Sequence, residues 1–336
     1  MGELKTFTIE QPPPLEGGGQ LDCLEIGYRS WGRLDAGAGN AVLVCPALTG
    51  DSDLESWWPG LLGPGRALDP NTDFIVCPDV LGGSGATSGP RSYKRSGRRW
   101  QQHFPAVSVR DMVGVQQLLL ERLGVRRLKL VIGGSLGGMQ ALEWAVGRPE
   151  KVEAATVIAA PPAQSAWARA FNHVQRRALQ AHDDIELARM IAMLSYRHWD
   201  NIDARFGDSE QHLHSAEAWL DYHGKALKAR FDPTSYSRLM AAMDSHDAGR
   251  GRGGWRAALA GTHTAVQIIA ITSDLLYPPR DQQQLADVLP AARLDWLDVP
   301  QGHDAFLIEQ DLVECLVSDF RRQLADPARP LPKTCP

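Results

Sequence analysis

Apolar residues fall along this chain in two alternating rhythms. Short and nearly uniform apolar runs occupy residues 41–45 (AVLVC), 74–77 (FIVC), 128–132 (LKLVI), 156–160 (TVIAA) and 267–271 (QIIAI). Runs of this length and uniformity predict strands covered on both faces. Residues 21–28 alternate partly, with Leu24, Ile26 and Tyr28 to one side, and predict a half-exposed early strand; residues 294–299 supply a last one. Between the runs the period changes. In 107–123, Met112, Val115, Leu118, Leu119 and Leu123 recur at helical intervals, and in 311–324 Leu312, Leu316, Phe320 and Leu324 stand four apart. Buried strands alternating with amphipathic helices predict an α/β fold, a mostly parallel central sheet flanked by helices.

The alternation stops at Pro161-Pro162 and resumes near Val266. Residues 161–246 read as helices at 167–180, 185–194 and 216–229, with Phe231-Asp232-Pro233 as an interrupting turn and no strand run. The expected organisation is a core of residues 1–160 and 247–336 carrying a helical lid insertion at 161–246. The glycine-rich stretch Arg250 to Gly254 reads as a hinge or loop.

Composition narrows the function classes. In a chain of 336 residues, 43% hydrophobic and 22% charged, one large core is feasible. A formal charge of −5 without a long basic run argues against nucleic acid and anionic membranes as partners, and the Arg91 to Arg99 cluster reads as a solvated loop. No apolar run near the N-terminus predicts a signal peptide or a membrane span. Five cysteines, scattered and never spaced Cys-x-x-Cys, fit a reducing, cytoplasmic setting. Of ten histidines only His212 and His214 are neighbours, without further ligands at metal spacing, so no metal site is expected.

The candidate chemistry begins at Gly133-Gly134-Ser135-Leu136-Gly137, which follows a buried-strand run and precedes a helical stretch. A tight strand-to-helix turn of this kind lifts a serine hydroxyl clear of the sheet, next to a helix N-terminus that favours negative charge. A serine nucleophile needs a base, and the base an orienting carboxylate. Asp274 follows the run at 267–271, and His303 follows the last strand, giving the order nucleophile, acid, base. His246 and His263 precede Asp274 and would reverse it, while Asp295 and Asp298 are expected to face solvent from the last strand. The oxyanion donors are expected at the amides of Leu136, just past the nucleophile, and Leu48, in the loop after the run at 41–45.

With these residues placed, the chain resembles the homoserine O-acetyltransferase family of the α/β-hydrolase superfamily. Shared motifs include Ala47-Leu48-Thr49-Gly50-Asp51-Ser52, Trp57-Trp58, Gly63-Pro64-Gly65, Val80-Leu81-Gly82-Gly83 and Arg110-Asp111-Met112, then the elbow through Trp144, Ser273 through Pro278 and Gly302 through Leu307. They run in family order over nearly the whole chain. The resemblance implies transfer of acetyl from acetyl-CoA to L-homoserine through an acyl-serine, no permanently bound cofactor, and a homodimer formed through the lid. It implies Arg189 and Tyr196 on the substrate carboxylate and Asp304 on its ammonium; seven residues apart, Arg189 and Tyr196 would share a helix face. Pro46, Ser84-Gly85-Ala86 and His103-Phe104-Pro105 depart from the family pattern. They leave open succinyl-CoA as donor and serine as acceptor. A plain esterase or thioesterase, or a catalytically silent binding protein, would share the fold.

Overall fold

A computed structural model describes residues 2–182, 185–207 and 215–326. Its sheet comprises β1 (Lys5–Ile9), β2 (Leu24–Trp31), β3 (Ala41–Cys45), β4 (Phe74–Pro78), β5 (Leu128–Gly134), β6 (Ala154–Ile158), β7 (Ala265–Ile271) and β8 (Ala292–Leu297), in the order β1-β2-β4-β3-β5-β6-β7-β8. Pairing is antiparallel at β1/β2 and β2/β4 and parallel from there to β8. Each run read as a doubly covered strand is one. β1 lies beyond the expected strands: its side chains are mostly exposed, so the apolar signal is missing, and pairing with β2 alone holds it.

Helices cover both faces. On one lie α2 (Val109–Arg122), α3 (Leu136–Gly147) and α10 (Pro279–Val288), whose Leu119, Leu142 and Leu285 pack with Leu43 and Val131 of the strands. On the other, α1 (Leu54–Trp57), α11 (Ala305–Ile308) and α12 (Gln310–Ala325) set Leu54, Phe306, Val313 and Phe320 against Val42, Val44 and Ile132. Neighbouring residues of one strand serve opposite cores, as period-two geometry requires. α2 starts at a capping box in which the Ser108 hydroxyl accepts from the Asp111 amide and the Asp111 carboxylate accepts in return from the Ser108 amide.

Between β6 and β7 the chain runs through α4 (Ala166–His182), α5 (Ile185–Tyr196), α6 (Trp199–Phe206), α7 (Ser215–Lys228) and α8 (Pro233–Asp244), then α9 (Trp255–Ala260). The two ends of this insert are stitched together by an antiparallel bridge between Ala163 and Asp247 and by the Gln164 amide donating to His246 O at 3.0 Å. The segment Phe231-Asp232-Pro233 does interrupt the helices, between α7 and α8, and its last two residues begin α8. Asp232 accepts from the Ser235 amide at 2.7 Å and Pro233 occupies the first turn, where its missing N–H costs nothing. The insert rests on loops of the core: Arg230 donates to Thr49 O at 2.6 Å, the Asp232 amide to Ser84 Oγ at 2.9 Å, and Ser235 Oγ to Gly83 O at 3.1 Å. Ser84, one of the departures from the family pattern, therefore anchors the start of α8.

Candidate active site

Ser135 sits between β5 and α3 with φ 56° and ψ −122°, a region that costs a side-chain-bearing residue about 1–3 kcal/mol. Its surroundings hold it there: the Ser135 amide donates to Ile158 O at 2.9 Å and its carbonyl accepts from the Met139 amide at 3.0 Å. Gly137 is obligatory beside it, because a Cβ at that position would lie 2.1 Å from Cys45 O. The turn thus packs directly onto the end of β3, bringing the 45–50 loop to the elbow.

Asp274 lies just past β7 and is 3% exposed. Its Oδ1 accepts from the amides of Leu276 (2.8 Å) and Tyr277 (2.9 Å), and its Oδ2 lies 2.7 Å from His303 Nδ1. An ionised carboxylate only accepts, so Nδ1 carries the proton and Nε2 has the free lone pair. That Nε2 is buried and bonds to nothing among the described residues, Ser135 Oγ included. Three rings enclose the imidazole, Tyr277 at 5.3 Å, Tyr196 at 5.4 Å and Phe306 at 5.8 Å between centroids. Phe306 also presses on the elbow strand: a Cβ on Gly134 would fall 2.5 Å from its ring. Phe306 thus touches both the histidine and the strand that delivers Ser135. Gly302, at φ 73°, lets the histidine loop pass against the backbone of Tyr196 and Arg197. Burial alone would depress the His303 pKa, but the Asp274 carboxylate, by charge and by hydrogen bond, together with Asp304, reverses this and raises it above 6.5.

The amides expected to hold an oxyanion are both unengaged. Among the described residues neither the Leu48 nor the Leu136 N–H meets an acceptor. Leu48 is 5% exposed, so its amide has little water to compensate.

Arg189 and Tyr196 do share one face of α5, with the guanidinium stacked 5.3 Å from the tyrosine ring. Arg189 has no carboxylate partner among the described residues. Asp304 is already engaged, its Oδ2 lying 3.5 Å from Arg197 Nε. Burial pushes the Tyr196 phenol up to about 12 and also raises Tyr236 well above the usual phenol range. Tyr236 donates to Gln175 Oε1 at 2.7 Å. Arg197, Tyr236, Tyr277 and Gln164, which accepts from Tyr277 at 3.2 Å, surround the pair without a local sequence signal. Their partners lie on distant segments.

The rivals are located elsewhere. His246 lies at the base of the insert, its pKa pushed down to about 4 by burial, and His263 is exposed. Asp298 is exposed past the end of β8, but Asp295 does not face solvent as expected: it ion-pairs with Arg293 at 2.8 Å and accepts from Gln267 at 2.7 Å, because α12 covers that end of the sheet. Cys23, Cys45 and Cys77 are free thiols. Cys335, His212 and His214 lie outside the described residues. Among the described residues no group of three or more His, Cys, Asp or Glu could hold a metal ion, and no helix is long and apolar enough to cross a membrane.

The strand order, the strained serine at a strand-to-helix turn and the Asp-His pair on successive loops define the α/β hydrolase fold, and the sequence profile of that fold matches residues 40–310. A crystallised homoserine O-acetyltransferase from Bacillus anthracis superimposes with a TM-score of 0.85 at 23% identity, covering 99% of each chain. An acetylester hydrolase from Corynebacterium glutamicum does so with a TM-score of 0.82 at 22% identity, covering 95% of this chain and 96% of that one. These likenesses speak for the fold alone. Sequence goes further: a homoserine O-acetyltransferase of Chlorobaculum parvum is 43% identical over 337 residues, 95% of either chain. Within the α/β hydrolases, this chain belongs to the homoserine O-acetyltransferase family.

Proposed function

We propose that the chain transfers the acetyl group of acetyl-CoA to the hydroxyl of L-homoserine, with Ser135, His303 and Asp274 as catalytic triad. The observation that carries this reading is the buried His303–Asp274 pair, whose Nε2 is left without a partner among the described residues. His303 Nε2 takes the Ser135 proton as Oγ attacks the thioester carbonyl, and the Leu48 and Leu136 amides hold the resulting oxyanion. When the C–S bond breaks, the proton passes from His303 to the departing thiolate and CoA leaves as a thiol. The homoserine hydroxyl then gives its proton to Nε2 and attacks the acyl-serine, and collapse returns the proton to Ser135 Oγ.

In this reading Arg189, supported by Tyr196, receives the substrate carboxylate, and Asp304 receives the ammonium. The charge count supports it: a guanidinium without a carboxylate partner and an aspartate with one lateral contact leave room for a zwitterion. Residues 161–246 act as a lid over the core of 1–160 and 247–336, limiting the water that would hydrolyse the acyl-enzyme. Trp167, Leu194, Trp199 and Tyr222, each more than half exposed on the insert, support a homodimer formed through it. A cytoplasmic setting suits a biosynthetic transferase of this kind, with acetyl-CoA as co-substrate and no resident cofactor.

The test is covalent. Acetyl-CoA alone should add one acetyl mass to Ser135, and initial rates with both substrates should give parallel double-reciprocal lines; an unlabelled serine with intersecting lines would refute the order. A plain esterase on the same fold is the hydrolytic alternative. It wins if thioester cleavage is fast and indifferent to homoserine. Crossing acetyl-CoA and succinyl-CoA with homoserine and serine fixes donor and acceptor.

A further inference from the structure

Behind the elbow runs a buried chain of polar side chains that the proposed mechanism leaves unused. Trp144 Nε1 donates to Gln116 Oε1 at 2.7 Å, Gln116 Nε2 to Gln140 Oε1 at 2.6 Å, and Gln140 Nε2 to the carbonyls of Pro46 (3.2 Å) and Leu136 (3.1 Å). The three side chains belong to residues that are 1%, 3% and 0% exposed, in the order Trp144, Gln116, Gln140. At that burial a lost partner leaves a stranded polar group that water does not compensate.

The direction of the chain is forced. An indole N–H can only donate, so Gln116 must turn its oxygen to Trp144 and its amino group to Gln140. Gln140 in turn accepts with its oxygen and has both amino hydrogens to spend forward. It spends one on each of two segments: Pro46 precedes the Ala47-Leu48 peptide, and Leu136 follows the nucleophile.

These segments carry the two amides assigned to the oxyanion. A peptide unit is planar, so each N–H points away from the carbonyl of its own unit. The Leu48 N–H is opposed to Ala47 O, which accepts from Gly50 at 3.0 Å, and the Leu136 N–H to Ser135 O, which accepts from Met139 at 3.0 Å. Each local turn fixes the heading of its own amide, but neither sets the spacing between the two. Gln140 bonds both segments at once. We infer that Gln140 is a positioning residue that sets the separation of the two oxyanion amides, and that Gln116 and Trp144 serve by fixing which way its carboxamide faces. Pro46 fits the arrangement, since its carbonyl is the group used and its missing N–H is not needed.

This inference rests on the proposed oxyanion and nucleophile assignments, and the experiment keeps the two apart. Acylation is followed as the burst with p-nitrophenyl acetate, which needs neither CoA nor homoserine. Binding is measured with S-trifluoroacetonyl-CoA, whose ketone adds Ser135 to form a hemiketal oxyanion, and with S-ethyl-CoA, which has no carbonyl. Gln140→Met should slow acylation on the order of 10- to 100-fold, the penalty for misplaced catalytic groups. It should weaken the trifluoroketone by the same factor and leave S-ethyl-CoA binding unchanged, while the thermal midpoint falls because Gln116 Nε2 and Pro46 O lose a buried partner. Gln116→Met and Trp144→Phe should move the same two quantities in the same direction by less, and they carry the test if Gln140→Met does not fold. A normal burst in Gln140→Met, or an equal loss for both CoA probes, overturns the inference. A burst that survives Ser135→Ala overturns the nucleophile assignment instead.

Discussion

The elbow and the insert solve the problem of holding charge and polarity in opposite ways. At the elbow every polar group is buried and most are spent: the Ser135 backbone is bonded on both sides, Asp274 accepts three hydrogen bonds, and what remains free is Nε2 of His303 and two amides. The insert keeps its charges half-buried, with Arg189 lying on a ring and Arg197 on the edge of Asp304. A rigid site with a few vacancies stabilises a transition state, because its dipoles do not reorganise when charge develops. A charged, half-buried wall suits the zwitterion of the proposed substrate.

Substitutions can break this contrast, beginning at the rigid side. Ser135→Ala should lower the acyl-transfer kcat on the order of 10⁶-fold with little change in KM, as for other triad nucleophiles, measured by steady-state kinetics with both substrates. Asp274→Asn should cost about 10⁴-fold and also move the pH profile. His303 must be neutral to act as base, and its folded pKa is raised above 6.5, so kcat/KM should climb with pH through a value above that. Removing the carboxylate removes the cause of the rise while burial still depresses the pKa, so the limb should shift to lower pH. A limb that stays in place would mean that another group is titrating.

On the side of the insert, Arg189→Met should raise KM for homoserine about 100-fold, the scale of a lost charge-pair partner, and leave the burst with p-nitrophenyl acetate intact. An equal loss in the burst would place Arg189 at the acylation step and blur the contrast. Stability should divide the regions in the same way. Ile132→Ala, in a strand with no exposure, should destabilise by about 2–5 kcal/mol, whereas Leu194→Ala, 58% exposed on the insert, should change the denaturation midpoint of the isolated protomer by less than about 0.5 kcal/mol.

The sheet was legible because its strands are buried on both faces, and burial leaves a dense local record in the residues themselves. Where burial fades, legibility fades with it: β1 is exposed and paired on one side, and α8 hid behind a Pro that reads as a break and also serves as a first turn. The proposed triad rests on another signal. The fold dictates the order in which nucleophile, acid and base must occur, so chain order eliminated His246 and His263.

Sequence by itself determined the layered architecture, the serine turn, the acid and base loops and the α5 face shared by Arg189 and Tyr196, since each depends on neighbours within one or two turns of chain. Tertiary structure alone decided that Asp304 meets Arg197, that Asp295 turns inward, that Phe306 touches both His303 and the elbow strand, and that Gln140 links Pro46 to Leu136. Those contacts join residues from separate elements, and hydrogen bonds between distant segments leave no periodic trace in the chain that makes them.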